Sequence, residues 1–252
     1  MFSRHTTSQK RANNFLNANR GDADIDRIIM HTTEGGPEGL DFAEDVANFF
    51  AAPTTDVSAH YVTDVNSIVG CVEEKDIAFH ALGDNANTIG IEMAGKASQT
   101  KEQWADAFSK GELDITAKLC ADICHRRNIP VRLLTDRELR EHRSGFASHD
   151  AVSRVFGDDI RDDPGPHFPW DKFLADVKRI MEGEDMVRFT LEDGEGTTIF
   201  AQSSPVEEEI DKEKERLGSF LSGLAARDDK LGEIVRELRD DRDAKLRRVQ
   251  AD

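Results

Sequence analysis

Short apolar segments alternate with amphipathic stretches along most of the sequence, and this alternation is the feature that most restricts the possible folds. Four segments are short and apolar enough for buried strands, at residues 27–33, 59–65, 67–72 and 88–94. Only Asn66 separates the middle two segments, so a β-hairpin is predicted there. Strands that alternate with helices are typical of an α/β layered fold.

The amphipathic stretches predict the helices of this fold. Residues 40–51 place several large apolar side chains on one helical face. Residues 104–128 predict a longer helix with a break near Gly111, because glycine weakens a helix interior. Two further helices are predicted, at residues 136–142 and 170–181.

Charge and composition exclude several classes of partner. The 252 residues contain 33 Lys and Arg against 50 Asp and Glu, which gives a formal net charge of −17. Duplex nucleic acid is therefore not an expected partner, because phosphate binding needs clustered basic residues. No apolar run approaches the roughly 18 residues of a membrane-spanning helix, so no membrane insertion is expected. No secretory signal pattern is visible and three cysteines suit a reducing cytoplasm, where we expect synthesis.

The pattern changes along the chain and predicts four segments. Residues 1–26 are polar and aperiodic, which predicts a loose N-terminal arm. Residues 27–182 carry the alternating pattern and are expected to form the main folded domain. Residues 183–204 predict a linker with a β-hairpin, and residues 205–252 are highly charged with a seven-residue apolar repeat. The repeat positions are Ile210, Leu217, Leu224, Leu231 and Leu238.

The seven-residue repeat predicts a long C-terminal helix and leaves two interpretations open. One is a coiled coil through which the chain forms a homo-oligomer. The other is an amphipathic helix that folds back on its own domain. Gly218, Gly223 and Gly232 each weaken a helix by up to about 1 kcal/mol relative to Ala, which counts against the coiled coil.

Two histidines and one aspartate are candidates for a metal site. His31 lies near the end of a predicted buried strand, and His149 lies at a strand end or in a loop. Asp163 opens the rigid turn Asp-Pro-Gly-Pro. Two imidazoles and one carboxylate match the three protein ligands of a catalytic zinc, which leaves one position for water. These residues are far apart in sequence, so their spacing alone does not establish a site.

Four sequence blocks occur in an order that resembles one family. The blocks are IIMHTTEG (28–35), VSAHYVTDVNSIVGCV (57–72), IAFHALGDNANTIGIEMAG (77–95) and SHDAVSRVFGDDIRDDPGPHFPW (148–170). Together they resemble the zinc-dependent N-acetylmuramoyl-L-alanine amidases that phage endolysins, bacterial amidases and peptidoglycan recognition proteins share. The resemblance covers about residues 26–180. It implies a mixed central sheet flanked by helices, with zinc in a groove at one edge of the sheet.

The resemblance implies that His31, His149 and Asp163 are the three zinc ligands. The interval between His149 and Asp163 is longer than in many members, so residues 153–160 are interpreted as an inserted loop. Three other carboxylates are alternatives to Asp163, namely Asp158, Asp159 and Asp162. Asp163 is preferred because it directly precedes Pro-Gly-Pro, and His142 is the alternative to His149.

The resemblance also implies roles for four further residues. Glu92 matches the catalytic glutamate, and Arg161 stands where many members have Lys. Arg carries a permanent charge and could still stabilise an oxyanion. His80 matches the His of the family's "WHAG" block, and Asn87 matches a position in the substrate groove. Both are expected to bind substrate. His60 either lines that groove or packs in the interior.

The implied reaction is hydrolysis of the amide bond between N-acetylmuramic acid and L-alanine by a zinc-activated water. The expected partner is bacterial peptidoglycan. The expected setting is a phage or prophage endolysin that is made in the host cytoplasm and acts on the cell wall. Two alternatives stay open, a peptidoglycan-binding module without catalysis and a virion-associated structural lysin.

Overall fold

The computed structural model describes residues 1–21, 24–35, 41–157 and 161–183, together with the backbone of residues 187–192 and 198–203. The chain divides into two units, Met1–Gly183 and Glu184–Asp252. The C-terminal helix predicted at 205–252 lies outside the described residues. Within the described residues, no helix combines the length and the apolar character needed to cross a bilayer.

The first unit contains eight strands and five helices among its described residues. The strands are β1 (Ser8–Gln9), β2 (Phe15–Leu16), β3 (Arg27–Thr32), β4 (Tyr61–Thr63), β5 (Ile68–Gly70), β6 (Ile77–Ala78), β7 (Thr88–Met93) and β8 (Gly145–Ser148). The helices are α1 (Phe42–Ala51), α2 (Ala107–Arg127), α3 (Asp136–Arg140), α4 (His149–Phe156) and α5 (Trp170–Met181). Six strands form a mixed sheet in the order β1-β5-β4-β7-β3-β8. The predicted α/β class with a mixed central sheet is confirmed.

Strand β3 lies inside this sheet and is buried along its whole length. Because side chains alternate along a strand, Ile28 and Met30 lie on one face and Ile29 and His31 on the other. The first face packs against α2 and α5 in one apolar core. On the other face, α1 covers β4 and β5, while α3 and α4 cover Ile29. Helices on both faces explain why the consecutive residues Ile28, Ile29 and Met30 are all apolar.

The hairpin predicted at Asn66 is present, and its two strands, β4 and β5, are antiparallel. Backbone amides of Asn66 and Ser67 donate to the carboxylate of Asp64 at 2.9 and 2.7 Å, which closes the turn. The helix break predicted near Gly111 is wrong, because α2 continues through it. A Cβ at position 111 would lie 2.7 Å from Cγ2 of Val65. Glycine therefore lets α2 pack closely on the hairpin.

The prediction of a loose arm at residues 1–26 is also wrong. Strand β1 pairs with β5 and strand β2 pairs with β6. The hydroxyl of Ser3 donates to the buried carboxylate of Asp122 at 2.6 Å, and its backbone amide donates to the hydroxyl of Tyr61 at 2.7 Å. The guanidinium of Arg20 donates to several backbone carbonyls. The polar composition of the arm therefore reflects hydrogen bonds to the domain.

The described part of the second unit is an antiparallel hairpin of strands β9 (Val187–Glu192) and β10 (Thr198–Ser203). Thr198 pairs with Glu192 and Ser203 pairs with Val187. The two strands predicted within residues 183–204 are thus present, and the predicted turn at 193–196 lies outside the described residues.

Two fragments test the packing of the arm. We expect the fragment 1–183 to fold, because it comprises a complete compact unit. The fragment 27–183 should unfold with a free energy lower by about 3–5 kcal/mol, because it lacks several hydrogen bonds that contribute roughly 1 kcal/mol each. Urea unfolding followed by circular dichroism measures the difference. Equal unfolding midpoints for the two fragments would contradict the role of the arm.

Candidate metal centre

Three neighbouring parallel strands bring the candidate residues to one edge of the sheet. In the register of β3 and β7, His31 lies opposite Glu92. In the register of β3 and β8, Met30 lies opposite Ser148, and His149 follows as the first residue of α4. The side chain of Ser148 caps α4 by accepting from the amide of Ala151. The carboxyl ends of parallel strands are the common place for ligand sites in such sheets.

The three predicted ligands converge on one point. Nδ1 of His31 lies 3.0 Å from Nδ1 of His149 and 3.2 Å from Oδ2 of Asp163. Nδ1 of His149 lies 3.1 Å from Oδ1 of Asp163. In a tetrahedral zinc site with bonds of about 2.0–2.2 Å, the ligand atoms are about 3.3–3.5 Å apart. The triangle is therefore nearly the size that zinc requires, and two nitrogens with one carboxylate are a donor set that zinc prefers.

A tight turn holds Asp163 against the two imidazoles. The carbonyl of Asp163 accepts from the amide of Asp150 at 3.0 Å, which ties the turn to the first turn of α4. Gly165 has φ +92°, and a Cβ there would lie 1.9 Å from the carbonyl oxygen of Ala97. Only glycine permits this approach, so the Asp-Pro-Gly-Pro turn docks on residue 97 and fixes the direction of the carboxylate.

The electrostatics of the triad favour a cation. Burial lowers the pKa of His31, which keeps that imidazole neutral with a lone pair available. Burial would raise the pKa of Asp163, but the neighbouring side chains of His149 and His31 outweigh it and hold this pKa well below its usual range. Neutral imidazoles and an ionised carboxylate are the protonation states that metal ligands need.

One carboxylate oxygen of Glu92 lacks a hydrogen-bond partner beside the triad. Its Oε2 atom is buried and has no hydrogen-bond partner among the described residues. Burial raises the pKa of Glu92 to about 8, with further contributions from the negative charges of Asp163 and Glu34. A carboxylate with a raised pKa next to a metal site suits a general base.

A cavity of about 560 Å³ opens over the triad. Polar residues at its base include His149, Asp163, Glu92 and Arg161. Its walls are partly apolar and are formed by Val46, Phe49, Phe50, Val57 and Phe79. Phe49 and Val57 are 57% and 43% exposed, so a substrate could cover them. The volume falls in the usual range for ligand sites.

Arg161 is exposed and lines this cavity. Its positive charge acts on both His31 and Glu92. The guanidinium therefore lies where it can influence a negative charge that develops near the triad.

Of the three predicted substrate residues, His80 lines the cavity, whereas His60 and Asn87 lie away from it. Both ring nitrogens of His80 are engaged by the protein, Nδ1 with His31 at 3.0 Å and Nε2 with Thr88 at 3.1 Å. His60 is fully buried and does not line the groove. Asn87 precedes β7, at the opposite end of the strand from Glu92.

Packing explains the positions of His60 and Asn87. Nδ1 of His60 accepts from the amide of Gly90 at 3.0 Å, inside the domain. The side-chain amide of Asn87 donates to the carbonyl of Asp24 at 2.7 Å and so fastens the end of the arm. Neither side chain therefore lies at the metal centre. Asn87 is close to Glu92 in sequence but lies at the other end of β7.

The two alternative ligands among the described residues, Asp162 and His142, do not join the triad. Asp162 is exposed, and Asp158 and Asp159 lie outside the described residues. His142 stacks on Phe156 with ring centroids 5.5 Å apart. Residues 153–156, interpreted as part of a loop, instead complete α4. Among the described residues, no other set of His, Cys, Asp or Glu side chains brings three ligand atoms together in this way.

Sequence reasoning missed several residues around the centre. Glu34 accepts from the amide of Ala97 at 2.8 Å and lines the cavity. Phe49, which lies in the helix predicted at 40–51, also lines the cavity. Thr88 and Gly90 contact the ring of His80 from β7. Thr88, Gly90 and Glu92 alternate in the segment TIGIE, so a strand prediction already placed them on one face.

Comparisons with known proteins agree with this architecture. The Amidase_2 family, described as N-acetylmuramoyl-L-alanine amidase, matches residues 21–166. N-acetylmuramoyl-L-alanine amidase A of Achromobacter lyticus is 31% identical over 160 residues, covering 58% of this chain and 79% of that protein.

Solved structures are similar in fold. The hydrolase AmiA of Staphylococcus aureus, solved in complex with its ligand, superposes with a TM-score of 0.52 at 12% identity, over 70% of this chain and 85% of that one. A mutant endolysin from Bacillus subtilis has a TM-score of 0.45 at 20% identity, over 68% of this chain and 99% of that one. From the family match and the curated relative, the chain belongs to the N-acetylmuramoyl-L-alanine amidase family and has that family's amidase activity.

Proposed function

We propose that the protein is a zinc-dependent peptidoglycan hydrolase that cleaves the amide bond between N-acetylmuramic acid and L-alanine. One observation carries the metal assignment: the Nδ1 atoms of His31 and His149 and the carboxylate of Asp163 lie 3.0–3.2 Å apart at the base of a cavity. The family match supports the bond that is cleaved. A peptidoglycan-binding module without catalysis would not require a buried carboxylate oxygen without a hydrogen-bond partner beside the three ligands.

His31, His149 and Asp163 would hold the zinc, since catalytic zinc sites typically use three protein ligands. Bound there, zinc supplies a Lewis acid that polarises the amide carbonyl and lowers the pKa of a coordinated water toward about 7. The neighbouring carboxylate of Glu92 takes the proton of the attacking water. The same carboxylate then delivers that proton to the amine of L-alanine as it leaves.

Arg161 is proposed to stabilise the oxyanion that forms on the amide carbon. Its permanent positive charge acts at the triad, and its position on the cavity wall leaves it accessible to substrate. His80 is not proposed for this role, because the protein engages both of its ring nitrogens.

The proposed setting is lysis of the bacterial wall by a phage or prophage endolysin made in the host cytoplasm. The alternative of a virion-associated lysin differs in where the chain is found. Detection of the chain inside purified phage particles would favour that alternative. We also propose that residues 205–252 mediate a homo-oligomer.

Digestion of purified cell walls tests the reaction. We expect new amino-terminal L-alanine on free stem peptides and intact glycan strands, identified by mass spectrometry. A chelator should stop the release and added zinc should restore it, because the zinc supplies the Lewis acid. Wall binding without any release would support the non-catalytic module, and new reducing sugar ends would indicate a glycosidase.

Two neighbouring aspartates provide a matched test of the metal ligands. We expect Asp163→Ala to lose stoichiometric zinc, because it removes the only carboxylate of the triad. Asp162→Ala should keep zinc, because that side chain is exposed. Elemental analysis of the purified variants gives the zinc content. Retention of zinc by the Asp163 variant would show that another carboxylate is the ligand.

Glu92→Gln tests the general base. We expect this variant to keep zinc and to lose turnover by at least about 100-fold, the usual contribution of a general acid–base group. Turnover near the rate of the unmodified chain would mean that another group accepts the proton.

The same variant has a second, independent readout in stability. The pKa of Glu92 is raised to about 8, so the folded state binds this proton more tightly than the unfolded chain, whose Glu pKa is near 4.5. Stability of the metal-free protein should therefore fall as pH rises from about 4.5 through about 8. Gln has no such proton, so Glu92→Gln should unfold at a higher temperature at pH 8 and at nearly the same temperature at pH 5. A difference that does not depend on pH would contradict the raised pKa.

A further inference from the structure

The imidazole of His80 contacts the ring nitrogen of His31 that faces away from the other two ligands. Nδ1 of His31 faces His149 and Asp163, and its Nε2 lies 3.0 Å from Nδ1 of His80. The rings of His31 and His80 are nearly perpendicular, at 89°. Each of the two nitrogens of His31 therefore has a separate partner, one at the metal centre and one inside the domain.

The contacts continue from His80 to a backbone carbonyl. Nε2 of His80 lies 3.1 Å from the hydroxyl of Thr88, and that hydroxyl lies 2.7 Å from the carbonyl oxygen of Asp84. The only other carbonyl acceptor for this hydroxyl among the described residues is the backbone oxygen of Asn85, at 3.4 Å. A carbonyl oxygen can only accept, so Thr88 must donate its single hydrogen there.

The carbonyl that accepts from Thr88 fixes the direction of each hydrogen bond between His31, His80 and Thr88. Because the hydroxyl of Thr88 donates to a carbonyl, it accepts from Nε2–H of His80. A neutral His80 that carries its hydrogen on Nε2 has a lone pair on Nδ1, which accepts from Nε2–H of His31. His31 then has its remaining lone pair on Nδ1, the atom that faces the other two ligands.

Gly90 gives the ring of His80 its place. A Cβ at position 90 would lie 2.4 Å from Cγ and 2.5 Å from Nδ1 of His80. The ring therefore lies directly against the backbone of β7, between Thr88 and Glu92 on the same face of the strand. A methyl group at this position would push the ring away from His31.

We propose that His80 and Thr88 are positioning residues that fix the tautomer of His31, and that Gly90 provides the space for the ring of His80. They hold the lone pair of His31 Nδ1 toward the metal before the metal binds. Partners that orient a metal-binding imidazole in this way commonly change metal affinity by about 10- to 100-fold when they are removed. This role rests on the proposed zinc site, and it replaces the substrate-binding role expected for His80.

The test measures zinc affinity of the metal-free full-length chain by competition with a chromophoric chelator. Thr88→Val removes the hydroxyl at nearly constant shape, and we expect zinc to bind about 10- to 100-fold more weakly. Thr88→Ser keeps the hydroxyl and should bind zinc within about threefold of the unmodified chain, on the same scale. Gly90→Ala should weaken zinc binding although every ligand is intact.

Thr116→Val is the matched control. Thr116 is another buried threonine, and its hydroxyl donates to Thr63 at 2.9 Å, away from His80 and His31. It loses a buried hydrogen bond of similar kind, so it reports the effect of general destabilisation. We expect its zinc affinity to match that of the unmodified chain. Equal zinc affinities for Thr88→Val and Thr116→Val would overturn the positioning role.

Nitrogen-15 NMR of histidine-labelled, metal-free protein gives a second readout. We expect His31 and His80 to be neutral with hydrogen on Nε2, and Thr88→Val to shift His80 toward a mixture of tautomers. A different tautomer of His31 in the unmodified chain would overturn the proposal. If the unmodified chain bound no zinc, the proposed function would fail, whereas these tautomers would still decide the positioning role.

Discussion

The parallel register of β7, β3 and β8 is the constraint on which the metal centre depends. It places His31 opposite Glu92 and brings His149 to the same level at the end of the next strand. A shift of one residue in any of these strands would turn the side chains to the opposite face. The two apolar cores that cover the faces of the sheet hold this register, because each depends on the same alternation.

The centre concentrates groups that oppose folding. The Nδ1 atoms of His31 and His149 lie 3.0 Å apart, and the buried Oε2 atom of Glu92 has no hydrogen-bond partner among the described residues. Such strain persists only where the surroundings determine the structure, and it is common at functional sites. The rest of the domain supplies that support through the buried sheet, the docked turn at Gly165 and the packed arm.

The strand TIGIE shows how one segment serves three purposes. Its alternate residues Thr88, Gly90 and Glu92 share a face, while the isoleucines between them belong to the core on the other face. The apolar residues predicted the strand, and the resemblance predicted the role of Glu92. The closeness of Gly90 to the ring of His80 depends on a loop that returns from residue 80, which no local pattern indicates.

The sequence alone determined the α/β class, the hairpin at Asn66 and the bounds of α5, because hydrophobic periodicity and turn residues are local signals. Resemblance of the sequence blocks selected His31, His149 and Asp163. Tertiary structure alone decided that the arm packs on the sheet, that α2 runs through Gly111 and that His60 and Asn87 lie away from the centre. These features depend on contacts between residues far apart in the chain, and a composition or a periodicity does not contain the partners of such contacts.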